Sequence, residues 1–251
     1  MVDIHSHVLY GLDDGAKDLA MSIAMLRMAA KSGTTDIVAT PHSDLNYPFQ
    51  PDAIAAQLAE FACMEGLPKI HSGCDFHLSF DNIHDLFNHP LRYTINGHGF
   101  LLVEFDNQAI PVGIGDVLTR MLGMGICPII THPERNPLLA KSLSRIAGWV
   151  NAGCRVQVTG QSFSGRFGKS AEAVAWELMR RDLVHFVASD AHDLEDRPPT
   201  LGPAFDLVRA KYGEERANTL FRTNPTRVLI GQPVLIQAKA AKKPRQWFKL
   251  W

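Results

Sequence analysis

The chain has 251 residues, of which 46% are hydrophobic and 20% are charged, and a chain of this length and composition can bury one sizeable core. Twenty-five Lys and Arg residues stand against 26 Asp and Glu residues. The resulting net charge of −1 argues against a nucleic-acid-binding protein.

Short apolar runs predict seven β-strands, and apolar residues recur at helical spacing between them. The strands are predicted at Val2–His5, Asp36–Ala39, Lys69–Cys74, Phe100–Glu104, Ile126–Thr131, Cys154–Val158 and Val184–Ala188. The first helical pattern is carried by Leu19, Ile23, Leu26 and Ala30. Gly33 would end that helix. Strand–helix alternation repeated about seven times predicts an α/β fold with a parallel sheet, either a barrel or a doubly wound sheet.

The last stretch of the chain differs in composition from the rest. We expect one domain over residues 1–233 and an appended tail over residues 234–251. The tail interleaves Lys and Arg residues with Trp247, Phe248 and Trp251. Such a segment either makes weak contact with an anionic membrane surface or remains solvated, and the sequence leaves both interpretations open.

Neither the cysteines nor the N-terminus indicates export. Cys63, Cys74, Cys127 and Cys154 form no CxxC pair, and we interpret them as reduced thiols. The first residues lack the basic and apolar regions of a signal peptide, and no run of about 18 apolar residues indicates a transmembrane helix. We therefore expect a cytoplasmic protein.

Histidines and carboxylates follow the predicted strands at their carboxyl ends, where parallel α/β folds build their sites. They are His5, His7, His42, Asp75, Glu104, His132, Asp190 and His192. One such residue is weak support, although the HxH spacing places both imidazoles on one side of an extended segment. Agreement among six strand ends predicts a metal centre. Histidine and carboxylate ligands without thiolate suit Zn, Mn or Fe.

The other histidines show no such pattern and are interpreted as structural or solvent-facing. They are His71, His77, His84, His89, His98 and His185. His77 needs checking because it lies two residues after Asp75.

Four more charged residues have two interpretations each. In Gly11-Leu12-Asp13-Asp14-Gly15, the acids either form a turn before a helix or supply another ligand. Arg135 and Arg197 lie just beyond predicted ligands. Their guanidinium groups either bind a phosphate dianion or form surface ion pairs.

Several of these segments resemble a known family. Asp3-Ile4-His5-Ser6-His7-Val8-Leu9 and Asp13-Asp14-Gly15-Ala16 resemble the opening of the PHP (polymerase and histidinol phosphatase) superfamily, and more narrowly the bacterial PHP-type tyrosine-protein phosphatases of capsule and exopolysaccharide loci. Further matches are Ala39-Thr40-Pro41-His42, Thr131-His132-Pro133-Glu134-Arg135, Gly165-Arg166-Phe167-Gly168, Ser189-Asp190-Ala191-His192 and Thr223-Asn224-Pro225. The resemblance covers about residues 1–233.

The resemblance implies a distorted, TIM-like (β/α)7 barrel that holds three divalent metal ions. Mn is the first choice for these ions, and Fe or Zn are the alternatives. The resemblance also implies three ligand sets: His5, His7, Asp75 and Asp190; Asp75, Glu104 and His132; Asp14, His42 and His192. Asp75 would bridge two ions, and Arg135 and Arg197 would bind phosphate. With Asp14 included, four carboxylates bring −4 against +6 from three ions, which favours an anionic substrate.

The implied activity is hydrolysis of phosphotyrosine by a metal-bound hydroxide. The implied partner is the tyrosine-rich tail of a membrane-bound polysaccharide-export kinase. Absence of a Cys-x5-Arg loop and of a DxDxT segment disfavours thiol and aspartyl-phosphate routes. Another PHP phosphoesterase activity, on histidinol phosphate or nucleotides, remains open, whereas the complete ligand set disfavours a non-enzymatic binding module.

Three positions depart from the family pattern. Asp75 stands at the bridging position, where Glu is usual. Asn136 stands where an aromatic residue is common, so the substrate-side lip is expected to differ. Tyr10 replaces a frequent Pro.

Overall fold

A computed structural model describes residues 1–236, and nine β-strands lie in that range. They are β1 (Val2–Ser6), β2 (Asp36–Ala39), β3 (His42–Ser43), β4 (Lys69–Ser72), β5 (Asp75–His77), β6 (Phe100–Glu104), β7 (Cys127–Thr131), β8 (Arg155–Thr159) and β9 (Phe186–Ala188). All neighbouring strands pair in parallel, which confirms the predicted α/β fold with parallel sheets.

Helices lie between the strands and after β9. They are α1 (Leu19–Lys31), α2 (Pro51–Ala62), α3 (Phe80–Asn88), α4 (Ile114–Gly123), α5 (Leu143–Ala152), α6 (Gly168–Arg180), α7 (Gly202–Tyr212), α8 (Glu214–Asn218) and α9 (Asn224–Leu229). Short 3₁₀ turns span Ile95–Gly97 and Gly160–Ser164, and a π turn spans Thr219–Thr223.

Helix α1 begins where the sequence indicated. The Asp18 side chain accepts a hydrogen bond from the Met21 N–H and caps the helix. Its fully buried face carries Met25, Leu26 and Ala29. Of the predicted stripe, Leu26 is fully buried, and Leu19 and Ile23 are partly buried against the same apolar cluster.

The strands form two sheets, ordered β1-β2-β4 and β3-β5-β6-β7-β8-β9. The second predicted strand is β2 with the predicted bounds, and the third is found as β4, which ends two residues early at Ser72. Each is followed by a short strand that was not predicted: β3 comes after Thr40-Pro41, and β5 comes after Gly73-Cys74. Pro41 has no N–H to donate to a neighbouring strand. A Cβ at Gly73 would lie 2.8 Å from Val38 Cγ1, so only glycine allows this approach.

The two sheets contact each other where β1 lies beside the segment that follows β9. Ser6 forms an isolated parallel bridge with Ala191, just beyond β9. The Asp190 N–H donates to the His5 carbonyl (2.9 Å), and the His7 N–H donates to the Ala191 carbonyl (2.8 Å). The carboxyl ends of β1 and β9 are therefore neighbours.

The predicted tail lies outside the described residues from position 237 onward. Of its first three residues, Val234 is 8% exposed and packs in an apolar cluster with Phe100 and Val228. Within residues 1–236, every helix is too short or too polar to span a bilayer.

Candidate metal centre

The nine predicted ligands come together at the carboxyl ends of the strands. His5 and His7 lie at the end of β1, His42 begins β3, Asp75 begins β5, Glu104 ends β6, and His132, Asp190 and His192 follow β7 and β9; Asp14 lies in the loop after β1. Six of them are at most 8% exposed: His5, His7, Asp75, His132, Asp190 and His192. The side chains of His42, Glu104 and Asp14 are 15%, 24% and 49% exposed and form the open side.

Around His5, the nitrogen and oxygen atoms converge at distances longer than hydrogen bonds. His5 Nε2 lies 3.3 Å from His7 Nε2, 3.4 Å from Asp190 Oδ1 and 3.5 Å from Asp75 Oδ2. Charge-assisted hydrogen bonds between such groups are about 2.7–2.9 Å long. Atoms that share one tetrahedral ion at about 2.0–2.1 Å lie about 3.4 Å apart. The spacing therefore fits ligands of a common cation.

A second group has the same spacing on the open side. Asp14 Oδ1 lies 3.4 Å from His42 Nε2 and 3.4 Å from His192 Nε2. His7 also belongs to this group, since a ligand atom of each residue lies within 4.8 Å of the others. Asp14 thus lies among the candidate ligands.

Asp75 lies between groups, as a bridging ligand would. The other triads with close ligand atoms are His5, His7 and Asp75; His5, His132 and Asp190; and His42, Asp75 and Glu104. His132 Nε2 lies 3.6 Å from Glu104 Oε1. The implied set of Asp75, Glu104 and His132 is therefore gathered only in part, because His132 groups more closely with His5 and Asp190.

Buried polar atoms without hydrogen-bond partners mark this centre. Both carboxylate oxygens of Asp75, Nδ1 of His42 and Nε2 of His192 have none. Burying such atoms without a partner is costly. Divalent cations would satisfy the Asp75 oxygens and His192 Nε2, and a donor set of imidazole and carboxylate without thiolate suits Zn, Mn or Fe. The residues present therefore fit metal ions.

Opposed pKa shifts accompany this crowding. Burial alone would lower the pKa of His5, but the charges of Asp75 and Asp190 outweigh it and raise the pKa to about 9. Burial, reinforced by the negative charge of Asp75, raises the pKa of Glu104 to about 8. Burial lowers the pKa of His132 to about 3. Such divergence is typical of functional sites.

Two residues that orient the histidines were missed by the sequence analysis. His7 Nδ1 donates to Asp13 Oδ2 at 2.6 Å, and the second Asp13 oxygen accepts the Gly15 N–H. Gln157 Oε1 lies 3.1 Å from His5 Nδ1. Both contacts leave the Nε2 atoms facing the centre, as outer-shell partners of metal ligands do. The signals were the second acid of the Asp13-Asp14 pair and a polar residue within an apolar strand.

Two ligand candidates adopt a backbone conformation that favours glycine. His132 has φ +30° and Asp190 has φ +53°. For residues other than glycine this costs on the order of 1–3 kcal/mol each, and such strain clusters at functional sites. The strain turns both side chains inward immediately after β7 and β9.

Arg135 and Arg197 border the centre. Both donate to Asp190 Oδ2, Arg197 through Nη2 at 2.6 Å. The Arg135 guanidinium also lies over the Phe167 ring, 4.2 Å from its centroid. The two cationic groups therefore converge on one side of the cluster, rather than pairing with surface acids.

Comparison with known proteins gives the family. The family model described as capsular polysaccharide synthesis, CpsB/CapC, matches residues 1–230. The chain belongs to the CpsB/CapC family. It is similar to tyrosine-protein phosphatase YwqE from Bacillus subtilis (strain 168), with 32% identity over 99% of each chain. It is also similar to tyrosine-protein phosphatase CpsB from Streptococcus pneumoniae, with 31% identity over 92% of this chain and 99% of that protein.

A solved structure in the CpsB/CapC family has the same fold. The crystal structure, described as one of YwqE from Bacillus subtilis and CpsB from Streptococcus pneumoniae, unique metal-dependent tyrosine phosphatases, matches with a TM-score of 0.87. It is 30% identical and covers 94% of this chain and 97% of that one. The family resemblance read from the sequence is therefore confirmed.

Two departures noted in the sequence lie away from the opening of the CpsB/CapC-type site. Asn136 is 3% exposed, and its side chain donates to the carbonyls of Phe105 and Asp106, so it joins the loops after β7 and β6. The Tyr10 hydroxyl donates to Glu60. Asn136 therefore bonds buried carbonyls instead of lining the opening, and the expected difference at the substrate-side lip stays a prediction.

His77 remains outside the cluster. It pairs in register with Glu104 across β5 and β6, but belongs to none of the close ligand groups within residues 1–236.

Proposed function

We propose that this protein is a metal-dependent tyrosine-protein phosphatase, a phosphoric monoester hydrolase that acts on phosphotyrosine. The observation that carries the proposal is a buried cluster of unpartnered imidazole and carboxylate atoms bordered by Arg135 and Arg197. Family membership supports it, because relatives at 31–32% identity carry the same activity in their names.

We propose three divalent ions, Mn being the first choice and Fe or Zn the alternatives. Their ligands would be His5, His7, Asp14, His42, Asp75, Glu104, His132, Asp190 and His192. When bound, such ions polarise phosphoryl oxygens and lower the pKa of water so that hydroxide is available at neutral pH.

The arginines would recognise the phosphoryl group. A guanidinium donates two parallel hydrogen bonds to phosphate oxygens and keeps its charge at all relevant pH values. Arg135 and Arg197 approach Asp190 from the same side, so a phosphoryl group next to that carboxylate would lie between them. There they would stabilise charge that develops on its oxygens.

A cysteine nucleophile is not part of this proposal. Burial raises the pKa of the Cys74, Cys127 and Cys154 thiols, the last two to about 11 and about 12. Their thiolates are therefore scarce at neutral pH. Cys63 is exposed but lies at the end of α2, outside the cluster.

The substrate proposed is a phosphotyrosine protein in the cytoplasm, the tyrosine-rich tail of a membrane-bound polysaccharide-export kinase. We also propose that residues 1–233 form the phosphatase domain as a distorted (β/α)7 barrel, in which β2 with β3, and β4 with β5, each count as one strand. Residues 234–251 would add weak membrane contact. Family membership in capsular polysaccharide synthesis supports the kinase as partner.

Metal removal tests the proposed chemistry directly. Chelation should abolish turnover of a phosphotyrosine peptide, and Mn²⁺ should restore it, whereas alkylation of the exposed Cys63 should leave it intact. Histidinol phosphate and a dinucleotide serve as competing substrates. Faster turnover of either competitor would replace phosphotyrosine phosphatase by another PHP phosphoesterase, and activity that survives chelation would contradict metal dependence.

A further inference from the structure

The loop after β8 contributes no candidate metal ligand within residues 160–168. In the six-stranded sheet β8 lies between β7 and β9. The strands on either side precede Arg135 and Arg197. Because the loops of parallel strands leave at the same edge, this loop lies between the two segments that carry the arginines.

On one side the loop holds Arg135. The Phe167 ring lies under the Arg135 guanidinium at 4.2 Å. The Arg135 side chain is only 22% exposed, so the stacking contact is partly shielded from water. The preceding residue is also held, since Ser162 Oγ and the Thr159 N–H both donate to Glu134 Oε1, at 2.7 and 3.0 Å.

On the other side the loop holds the segment that ends at Arg197. Arg166 donates to the Asp196 carboxylate at 2.6 Å and to the Asp196 and Glu195 carbonyls at 3.2 and 3.3 Å. That segment is closed on itself, because Asp193 Oδ1 accepts the N–H groups of residues 195, 196 and 197. Arg166 therefore holds this compact turn in place, and Arg197 is the last residue of the turn.

Two glycines make this double contact possible. Gly165 has φ +78° and Gly168 has φ +87°, conformations that other residues rarely adopt. The chain turns sharply at both positions, so the adjacent residues Arg166 and Phe167 reach different neighbours.

We propose that Arg166 and Phe167 are positioning residues for phosphoryl recognition. Phe167 orients the Arg135 guanidinium plane, and Arg166 fastens the turn that presents Arg197. Neither residue touches the substrate. The inference rests on the proposed function, because it assumes that both arginines bind the phosphoryl group.

Inorganic phosphate binding to the Mn-loaded protein, measured by calorimetry, tests the inference without requiring turnover. Phe167→Leu should raise the Kd of phosphate and the KM for a phosphotyrosine peptide roughly three- to thirtyfold, the range expected for a partly shielded cation–π contact. Phe167→Tyr keeps the ring face and should restore wild-type values. Bound metal content should be unchanged in both variants, because neither alters a ligand.

The Arg166 variants test the second contact. Arg166→Ala should raise the same two constants severalfold, and Arg166→Lys should restore them only in part, because a lysine cannot form the forked contact. The matched control is Arg180→Ala on α6, where an exposed arginine pairs with Glu177.

The outcomes separate this inference from the proposed function. A wild-type protein that binds phosphate but does not hydrolyse phosphotyrosine would reject the function, while the Kd values of the variants would still decide the inference. An unchanged phosphate Kd in both Phe167→Leu and Arg166→Ala, with normal metal content, would overturn it. So would an equal loss in Phe167→Tyr, since that points to a packing effect alone.

Discussion

Two regions of the molecule bury polar side chains, and only one resembles a reactive site. At the carboxyl ends of the strands, His5 and Asp75 are completely buried. Near the start of β9, His185 and Asn224 are 3% and 0% exposed. Burial therefore does not separate the regions.

What separates them is whether each polar atom has a partner. The Val156 N–H donates to His185 Nδ1 at 3.2 Å, and the Asn224 side chain donates to the His185 carbonyl at 3.0 Å. Arg216 donates to the Val184 carbonyl at 2.9 Å. In the metal centre, both Asp75 oxygens lack any such bond. Buried polar groups in folded proteins are normally hydrogen-bonded, so a cluster of exceptions at Asp75, His42 and His192 marks the site.

The largest effect should follow from removing candidate ligands in the metal centre. The double substitution His5→Ala, His7→Ala deletes two adjacent imidazoles of the cluster. We expect kcat/KM on a phosphotyrosine peptide to fall by at least about a thousandfold, because metal ions supply several kcal/mol of transition-state stabilisation. Metal content should fall in parallel. His89→Ala, at an exposed histidine, is the control; full activity of the double variant would refute the assignment.

In the region around His185, where the polar atoms have hydrogen-bond partners, a substitution should lower stability instead. Asn224→Ala removes a side chain that bonds the His185 carbonyl and both backbone groups of Leu235. We expect the free energy of unfolding to drop by about 2–4 kcal/mol, since buried groups lose their partners. Urea titration measures this, with the partly exposed Asn218→Ala as control. A fall in kcat of the folded variant would contradict the expectation that this region acts on stability alone.

The sequence predicted much of this arrangement because strands and their ends are local patterns. All seven predicted strands are found, but the short strands β3 and β5 were not predicted, because the breaks before them depend on contacts such as Gly73 against Val38 that no local pattern reveals. The nine ligand candidates converge because parallel strands share an edge. Asp13 was missed because only the rotation of the loop decides which of two adjacent acids points at His7.

Asp13 combines features of both regions. Its buried carboxylate has hydrogen-bond partners, and one of these partners is the ligand candidate His7. Asp13→Asn keeps the shape and removes the negative charge beside His7 Nδ1. Metal affinity should fall about 10- to 100-fold, the usual cost of losing an outer-shell partner. Competition with a chelating dye measures it. The exposed Asp52→Asn is the control, and an unchanged affinity would show that Asp13 only shapes the loop.

The smallest effect concerns the pH dependence of stability that arises from His185. Burial, followed by the charges of Arg155 and Arg216, lowers the pKa of His185 from 6.5 to about 3. Between these values the unfolded chain binds more protons than the folded one, so the stability contribution is complete above pH 6.5 and is lost as the pH falls. Going from pH 7 to about pH 5.5 should cost about 1 kcal/mol through this group. His185→Gln keeps an acceptor for the Val156 N–H but cannot be protonated there, so the unfolding free energy of the chelator-treated variant should change less across that interval than that of the wild type. The control His89→Gln should show the same change of unfolding free energy with pH as the wild type. If His185→Gln also matched the wild type, His185 would accept its proton in the folded state. The region around His185 would then be more open to water than its hydrogen bonds indicate.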